Sequence, residues 1–494
     1  MSPVKCQDKK RPCIFRDHLN RQGRNQRSAL RAHQGIKLGL LLSLTAICTG
    51  SACGTIPNAR ALIHSSRLYT ESPQFEAARG PLSTTQGKEI IGRLERQAGK
   101  TDILARHLAF EQAISGSPLI VGNRVTLLKD SSTTYPAMLD AIRGARNNIN
   151  LETFIFSDDS VGRAFASALI AKRRQGVQVN IIYDSFGSYS TAESLFDSLR
   201  ANGVRLVAFN PIDPWNARVR WSPDHRDHRK LLVVDGRTAF TGGINISSHR
   251  FRAFGVSRAE DRNGGPSDWR DTDVEIQGPS VAAFQRLFVT TWSSQHGLPL
   301  DSGGYFPVLH NQGNDIVRVL GSVPEQFSVI YVTLISAINN AEKNVYITNA
   351  YFAPDAEMLD TLEAAAQRGV DVRLLVPGRT NEPLIGPATR SRYSDLLRAG
   401  VRIYEWRGKM LHAKTATIDG VWSTVGSSNL DWWSIARDNE VNAVVLSTGF
   451  AERMTLMFRN DIENSEQIDL ERWKKRSAME RIDESVARCF QRLL

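Results

Sequence analysis

The chain has 494 residues, 41% of them hydrophobic and 23% charged, with a formal net charge of +11 and five cysteines. That length exceeds one ordinary domain, and the balance excludes a disordered or fibrous protein. The charge argues less for a nucleic-acid partner than its size suggests: residues 1–37 hold ten cations against two anions, which leaves +3 for everything that follows.

The basic head runs into an apolar stretch, residues 38–48, and then Gly50, Ser51, Ala52 and Cys53. Such a stretch is too short to span a bilayer, which takes about 20 residues, and has the length of the apolar part of an export signal. The small residues before Cys53 resemble a bacterial lipoprotein signal, although Gly50 stands where leucine is usual. In such signals the cysteine is lipidated and becomes the new N-terminus. Residues 1–53 are therefore expected to be a signal peptide, with the mature chain exported to the periplasmic side and tethered to the membrane through Cys53. Cleavage would remove Cys6, Cys13 and Cys48, and lipid would occupy Cys53. Cys489 would then stand alone, which excludes a disulfide framework. No Cys-x-x-Cys or Cys/His zinc spacing is present.

Residues 54–118 read as a polar tether followed by helical text, "KEIIGRLERQAGKTDILARHLAFEQAI", expected to pack without doing chemistry. Beyond Val125 the chain repeats itself. "MLDAIRGARNNINLETFIFSDD" and "LISAINNAEKNVYITNAYFAPD" each read as an amphipathic helix and then a strand. "ALIAKRRQGVQVNIIYD" is echoed by "LEAAAQRGVDVRLLVP", and "LRANGVRLVAF" by "LRAGVRIYEW". The helices close on Gly176 and Gly203 in the first copy and on Gly369 and Gly400 in the second, at offsets of 193 and 197. A period of this length is a domain-sized duplication of an α/β unit rather than a solenoid. The Gly/Pro-rich residues 296–315 are the expected seam. The domains are set at 119–300 and 301–494.

Each copy ends in the same short text. "HRKLLVVDGRTAFTGGIN" begins at His228, and "LHAKTATIDG" places His412 an offset of 184 later. Both read His-x-Lys-x-x-x-x-Asp-Gly, followed by a glycine and then Asn245 or Asn429. The apolar runs around Asp-Gly predict a β-hairpin. Alternation puts His228 with Lys230, and His412 with Lys414, on one strand face. Asp235 and Asp419 then fall in the turns and read as structural. Two imidazoles, two ammonium groups and two carboxamides facing each other would surround a tetrahedral phosphate. One histidine could attack phosphorus while the other protonates the leaving oxygen. A metal reading of "DHRDH" is disfavoured because Arg226, Arg229 and Lys230 are interleaved with the ligand types and the second copy lacks the cluster.

These motifs resemble those of the phospholipase D superfamily, whose signature HxKx4Dx6G-(S/G)-x-N occurs here twice. The likeness is closest to bacterial cardiolipin synthases and their lipoprotein-like relatives. It runs from about residue 117 to residue 469 and includes "YDSFGS" at 183–188, "DWRDTDVEIQGP" at 268–279 and "AYFAPD" at 350–355. Gly243 departs from it, since serine is common there; Ser427 keeps the hydroxyl in the second copy.

The resemblance implies two tandem α/β/α sandwich domains forming a pseudo-dimer, with the active site at their interface. It implies a catalytic set of His228, Lys230, Asp235, His412, Lys414 and Asp419. His228 would form the phosphohistidine and His412 would be the acid and then the base. Asn245, Asn429 and Ser427 would hold phosphate oxygens. Asp271 and Glu440, one downstream of each motif, would orient the histidines, the plain alternative for Asp271 being a salt bridge to Arg270 or Arg252. The implied activity is transfer of a phosphatidyl group, most simply to make cardiolipin from phosphatidylglycerol and a second phospholipid, with no cofactor and no metal. Its partners would be phospholipid substrates and a membrane surface, with no nucleic acid. Hydrolysis to phosphatidic acid, a nuclease on the same scaffold, and a non-catalytic binding protein are the alternatives.

Overall fold

The computed structural model describes residues 58–66, 72–212, 224–248, 269–300, 304–324, 327–408 and 410–489. The expected signal segment, with Cys53, lies outside these residues, as does Arg252. No helix among the described residues is long and apolar enough to cross a membrane.

The duplication is visible strand by strand. In the first half β1 (Leu119–Lys129), β2 (Asn148–Thr153), β3 (Gln178–Asp184), β4 (Arg205–Phe209), β5 (Lys230–Val234), β6 (Thr238–Gly242) and β7 (Thr272–Gln277) form a sheet. Its order is β4-β3-β2-β5-β6-β7-β1, parallel among β4, β3 and β2 and antiparallel beyond. The second half supplies β8 (Asp315–Ser322), β9 (Asn344–Asn349), β10 (Asp371–Pro377), β11 (Arg402–Trp406), β12 (Lys414–Ile418), β13 (Trp422–Gly426) and β14 (Asp438–Leu446). Their order, β11-β10-β9-β12-β13-β14-β8, has the same pattern of directions. The two sheets join where the first part of β1 pairs with β8.

Helices cover both faces of each sheet. Tyr135, Met138, Ile142, Phe165, Leu169 and Phe196 pack one face of the first sheet. On the other side Phe284, Phe288 and Trp292 share one core with Phe450, Met454 and Met457, between valines of both sheets. This apolar layer welds the halves together. The parallel β-α-β connections end their helices on the four expected glycines, whose φ values run from 79° to 99°.

The helical text of residues 84–115 forms the helices Thr84–Ala98 and Leu108–Ser115, joined through the single π turn Ile103–His107. Their apolar faces pack on the second half rather than on the first, which they precede in sequence: Ile90, Leu94, Leu104 and Leu108 share a core with Ile335 and Trp422. The short strand Phe75–Ala77, which the sequence reading did not anticipate, pairs with the start of β1.

Candidate active site

The two motif hairpins turn at Asp235–Gly236 and Asp419–Gly420, with positive φ at all four residues. That geometry belongs to the tight hairpin turn whose twist matches the strands. The aspartate carboxylates point back to the sheet. Asp235 accepts from the N–H groups of Arg146, Asn147 and Asn148 at 2.7–3.0 Å. Asp419 accepts from Glu342, Lys343 and Asn344, and from the Thr101 hydroxyl at 2.6 Å. Both therefore anchor the start of the neighbouring strand and take no part in the histidine–carboxylate bonds described below.

The segments leading into the histidines cross between halves. Arg226–Asp227 runs parallel to the start of β14, and the His228 N–H donates to Asn439 O at 3.0 Å. The next residue, Glu440, accepts from His228 Nδ1 at 2.9 Å. In the same way Met410–Leu411 runs parallel to Trp269–Arg270, and the His412 N–H donates to Arg270 O at 2.8 Å. The next residue there, Asp271, accepts from His412 Nδ1 at 2.8 Å. Each carboxylate thus serves the histidine of the opposite half, although in sequence it follows the motif of its own half.

Both histidines, both lysines and both carboxylates are buried. Burial pulls His228 and His412 down to about 4, Glu440 and Asp271 pulling the other way. It lowers Lys230 to about 8 and Lys414 to about 7. Burial alone would raise Glu440 and Asp271, but the histidines and lysines beside them hold both below the ordinary carboxylate range. Lys414 lowers His228, and Lys230 lowers His412, so the two sets act on each other across the interface.

The halves are not identical. Lys414 Nζ lies 2.9 Å from Nε2 of His412 and 3.0 Å from Nδ1. Since Nδ1 donates to Asp271, only Nε2 has a lone pair to offer the ammonium. Both ammonium groups donate to the carbonyl of their own motif's histidine at 2.5 Å, but no described residue hydrogen-bonds His228 Nε2, and Lys230 lies over the Phe154 ring. Phe154 packs edge-on to His228, while Trp269 and Tyr351 flank His412.

Ser427, expected to hold a phosphate oxygen, is spent otherwise: its hydroxyl donates to Glu440 Oε2, and the Val441 N–H donates to it at 3.0 Å. It is thereby a support of the Glu440–His228 couple. Gly243 stands at the matching place because a Cβ there would come within 2.1 Å of Asp271 Oδ1. The missing hydroxyl is replaced by a backbone donor, Thr272 N–H to Asp271 Oδ1 at 2.8 Å. Asn245 is half-buried, and its Oδ1 accepts from the Ile155 N–H at 3.2 Å; among the described residues nothing accepts from its amide nitrogen, which suits a ligand contact. Asn429 is buried.

Three of the four ligand-type side chains of "DHRDH" are engaged by protein partners, His228 by Glu440 as above. Asp224 pairs with Arg437 at 2.9 Å, and His225 Nε2 meets Asn439 Oδ1 at 3.0 Å. The one group of ligand-type atoms close enough to hold a metal, among the described residues, is His228, Asp438 and Glu440. A dication there would displace the bonds from His228 and Ser427 to Glu440 and sit beside buried ammonium groups, so the donor set does not suit one.

Residues 138–255 and 334–462 match the family model described as "Cardiolipin synthase, PLD-like domain". The chain belongs to this cardiolipin synthase family. It is 31% identical to a cardiolipin synthase of Halalkalibacterium halodurans over 81% of this chain and 78% of that protein. The identity is 32% to one of Geobacillus thermodenitrificans, over 78% and 75%. To the major cardiolipin synthase ClsA of Bacillus subtilis it is 31%, over 75% and 76%. Among solved structures, a phosphatidylserine synthase of Haemophilus influenzae superposes with a TM-score of 0.56 over 78% of this chain and 96% of that one; at 13% identity the likeness is one of fold.

Proposed function

We propose that this chain is a phosphatidyltransferase that makes cardiolipin. The observation that carries the reading is the crossed pair of couples, Glu440–His228 and Asp271–His412, closing over two buried lysines. A carboxylate on Nδ1 fixes the tautomer that leaves Nε2 as the reactive lone pair and stabilises the imidazolium when it forms. His228 Nε2 attacks phosphorus of a phosphatidylglycerol and forms the N–P bond as the bond to the glycerol oxygen breaks. His412 gives that oxygen its proton. His412, now neutral, then takes the proton from the hydroxyl of a second phospholipid, and that oxygen displaces His228 from phosphorus. Lys230, Lys414, Asn245 and Asn429 offset the charge on the non-bridging oxygens. The diester's own negative charge raises the pKa of His412 and so supplies its imidazolium. Water in place of the second alcohol gives phosphatidic acid by the same steps.

The expected setting is the outer face of a membrane, reached by export and held through lipid on Cys53. The charge balance after residue 37 favours a lipid over a nucleic acid. The test is to incubate purified protein in EDTA with phosphatidylglycerol micelles and, separately, with single-stranded DNA. Cardiolipin and glycerol are the expected products. Phosphatidic acid alone would make the chain a hydrolase, DNA cleavage would make it a nuclease, and activity restored only by zinc or magnesium would overturn the metal-free chemistry.

A further inference from the structure

Each histidine–carboxylate couple is held by a buried arginine that none of the roles above uses. Arg229 lies between His228 and Lys230, so strand alternation sends its side chain to the opposite face. It is 3% exposed. Its Nε donates to Glu440 O at 3.1 Å, its Nη2 to Ser322 O at 3.1 Å and its Nη1 to Thr291 Oγ1 at 2.9 Å. Ser322 and Glu440 face each other as the terminal pair of the β8–β14 ladder. One guanidinium from the first half therefore caps the ladder of the second at the residue that orients His228. Its counter-charge is Glu152, 3.6 Å away and fully buried.

The other couple is served from a different position. Arg270 is also 3% exposed. Its Nη1 donates to Asp271 O and, at 3.0 Å, to Thr272 Oγ1. Its Nε and Nη2 bind Asp461, on the helix Thr448–Glu463 of the opposite half, at 2.6–3.0 Å. Both arginines thus cross the interface, and both donate to the carbonyl of the orienting carboxylate residue. They are not repeat mates: Ala413 stands where Arg229 would be in the second motif, and Asn439 precedes Glu440 as Arg270 precedes Asp271.

We propose that Arg229 and Arg270 are positioning residues for separate parts of the reaction, Arg229 setting the Glu440–His228 couple and Arg270 the Asp271–His412 couple. The proposal rests on the two-histidine reading above. Because the arginines occupy unrelated positions, each couple can be loosened alone. Displacing a reacting group by about 1 Å can cost on the order of 100-fold in rate. Loosening the nucleophile slows attack whatever leaves. Loosening the acid slows only departures that need a proton, and also the second step, which needs the base.

The test is single-turnover kinetics of the full chain with Arg229→Met, Arg229→Lys, Arg270→Met and Arg270→Lys. The substrates are a nitrophenyl phosphodiester and micellar phosphatidylglycerol. Arg229→Met should slow phosphohistidine formation on the order of 10- to 100-fold with both leaving groups. Arg270→Met should leave nitrophenyl labelling within about twofold while slowing the glycerol-leaving reaction and adduct breakdown on the order of 10- to 100-fold. Each lysine variant, keeping one donor, should recover part of the loss with the same selectivity; where a methionine variant does not fold, its lysine counterpart is read instead. Equal slowing of every step in both variants, or no slowing in either, would overturn the proposal. The same split with the arginines exchanged would uphold separate positioning and reverse the assigned order of the histidines.

Discussion

At the scale of single residues the site is a problem in proton placement. Four cationic or potentially cationic groups are buried together, and burial lowers all four. The histidines fall from 6.5 to about 4, so between those values the unfolded chain binds more protons than the folded one. Stability from these groups is complete above pH 6.5 and is lost as pH falls towards 4. The lysines govern the other limb. With Lys414 lowered to about 7 and Lys230 to about 8, the free enzyme loses its phosphate-binding charges in that range. We expect kcat/KM on a micellar substrate to fall above pH 7–8, and kcat to fall at higher pH, because a bound diester holds those protons in place. A kcat/KM that stays flat to about pH 9 would count against ammonium groups that titrate there. The identities of these residues were legible in the sequence, since spacing alone puts histidine and lysine on one strand face. The resemblance also pointed to Glu440 and Asp271 as orienting groups; the pairing was not legible, because Glu440 reaches the histidine of the other half and Ser427, in its own half, is spent on Glu440 rather than on phosphate, and no local spacing encodes either contact.

At the scale of elements the aspartates of the two motifs separate from the chemistry. Asp419 is buried, sits at φ 53° and closes three N–H groups at the start of β9. Each buried donor left unpaired costs about 1–3 kcal/mol. Asp419→Ala is therefore expected to lower the melting temperature by several degrees, with kcat per folded molecule retained at low temperature. Unchanged melting, or a folded variant without activity, would return Asp419 to the catalytic set. The hairpins and the four Gly-closed turns were readable because their geometry follows from local residues. The placement of the helices Thr84–Ala98 and Leu108–Ser115 was not. Their helical period was plain, but the apolar surface they cover belongs to residues more than two hundred positions later, such as Ile335 and Trp422. The link is fixed by pairs such as Glu111 with Arg318 at 2.6 Å, both fully buried.

At the scale of the whole molecule, duplication explains why a single chain can hold a site that needs two copies of one motif. The common layer of Phe284, Phe288, Phe450 and Met454 sets the halves face to face, and the crossed strands then bring each histidine to the other half's carboxylate. Delivery to the membrane is a separate matter that the lipoprotein-like text before Cys53 bears on. If Cys53 carries lipid, Cys53→Ser should release the protein from the membrane fraction or leave the precursor uncleaved, as read by fractionation and mass. Normal processing with unchanged attachment would make residues 38–48 the anchor instead. The central claim concerns which histidine carries the phosphoryl group. His228 Nε2 has no hydrogen-bonding partner among the described residues, whereas Nε2 of His412 faces the Lys414 ammonium, which supports His228 as the nucleophile. The most direct measurement is to trap and map the covalent adduct formed from a nitrophenyl phosphodiester. We predict an adduct on His228, slow labelling that accumulates in His412→Ala because the base for the second step is gone, and neither labelling nor turnover in His228→Ala. An adduct mapped to His412, or labelling that persists in His228→Ala, would contradict the account.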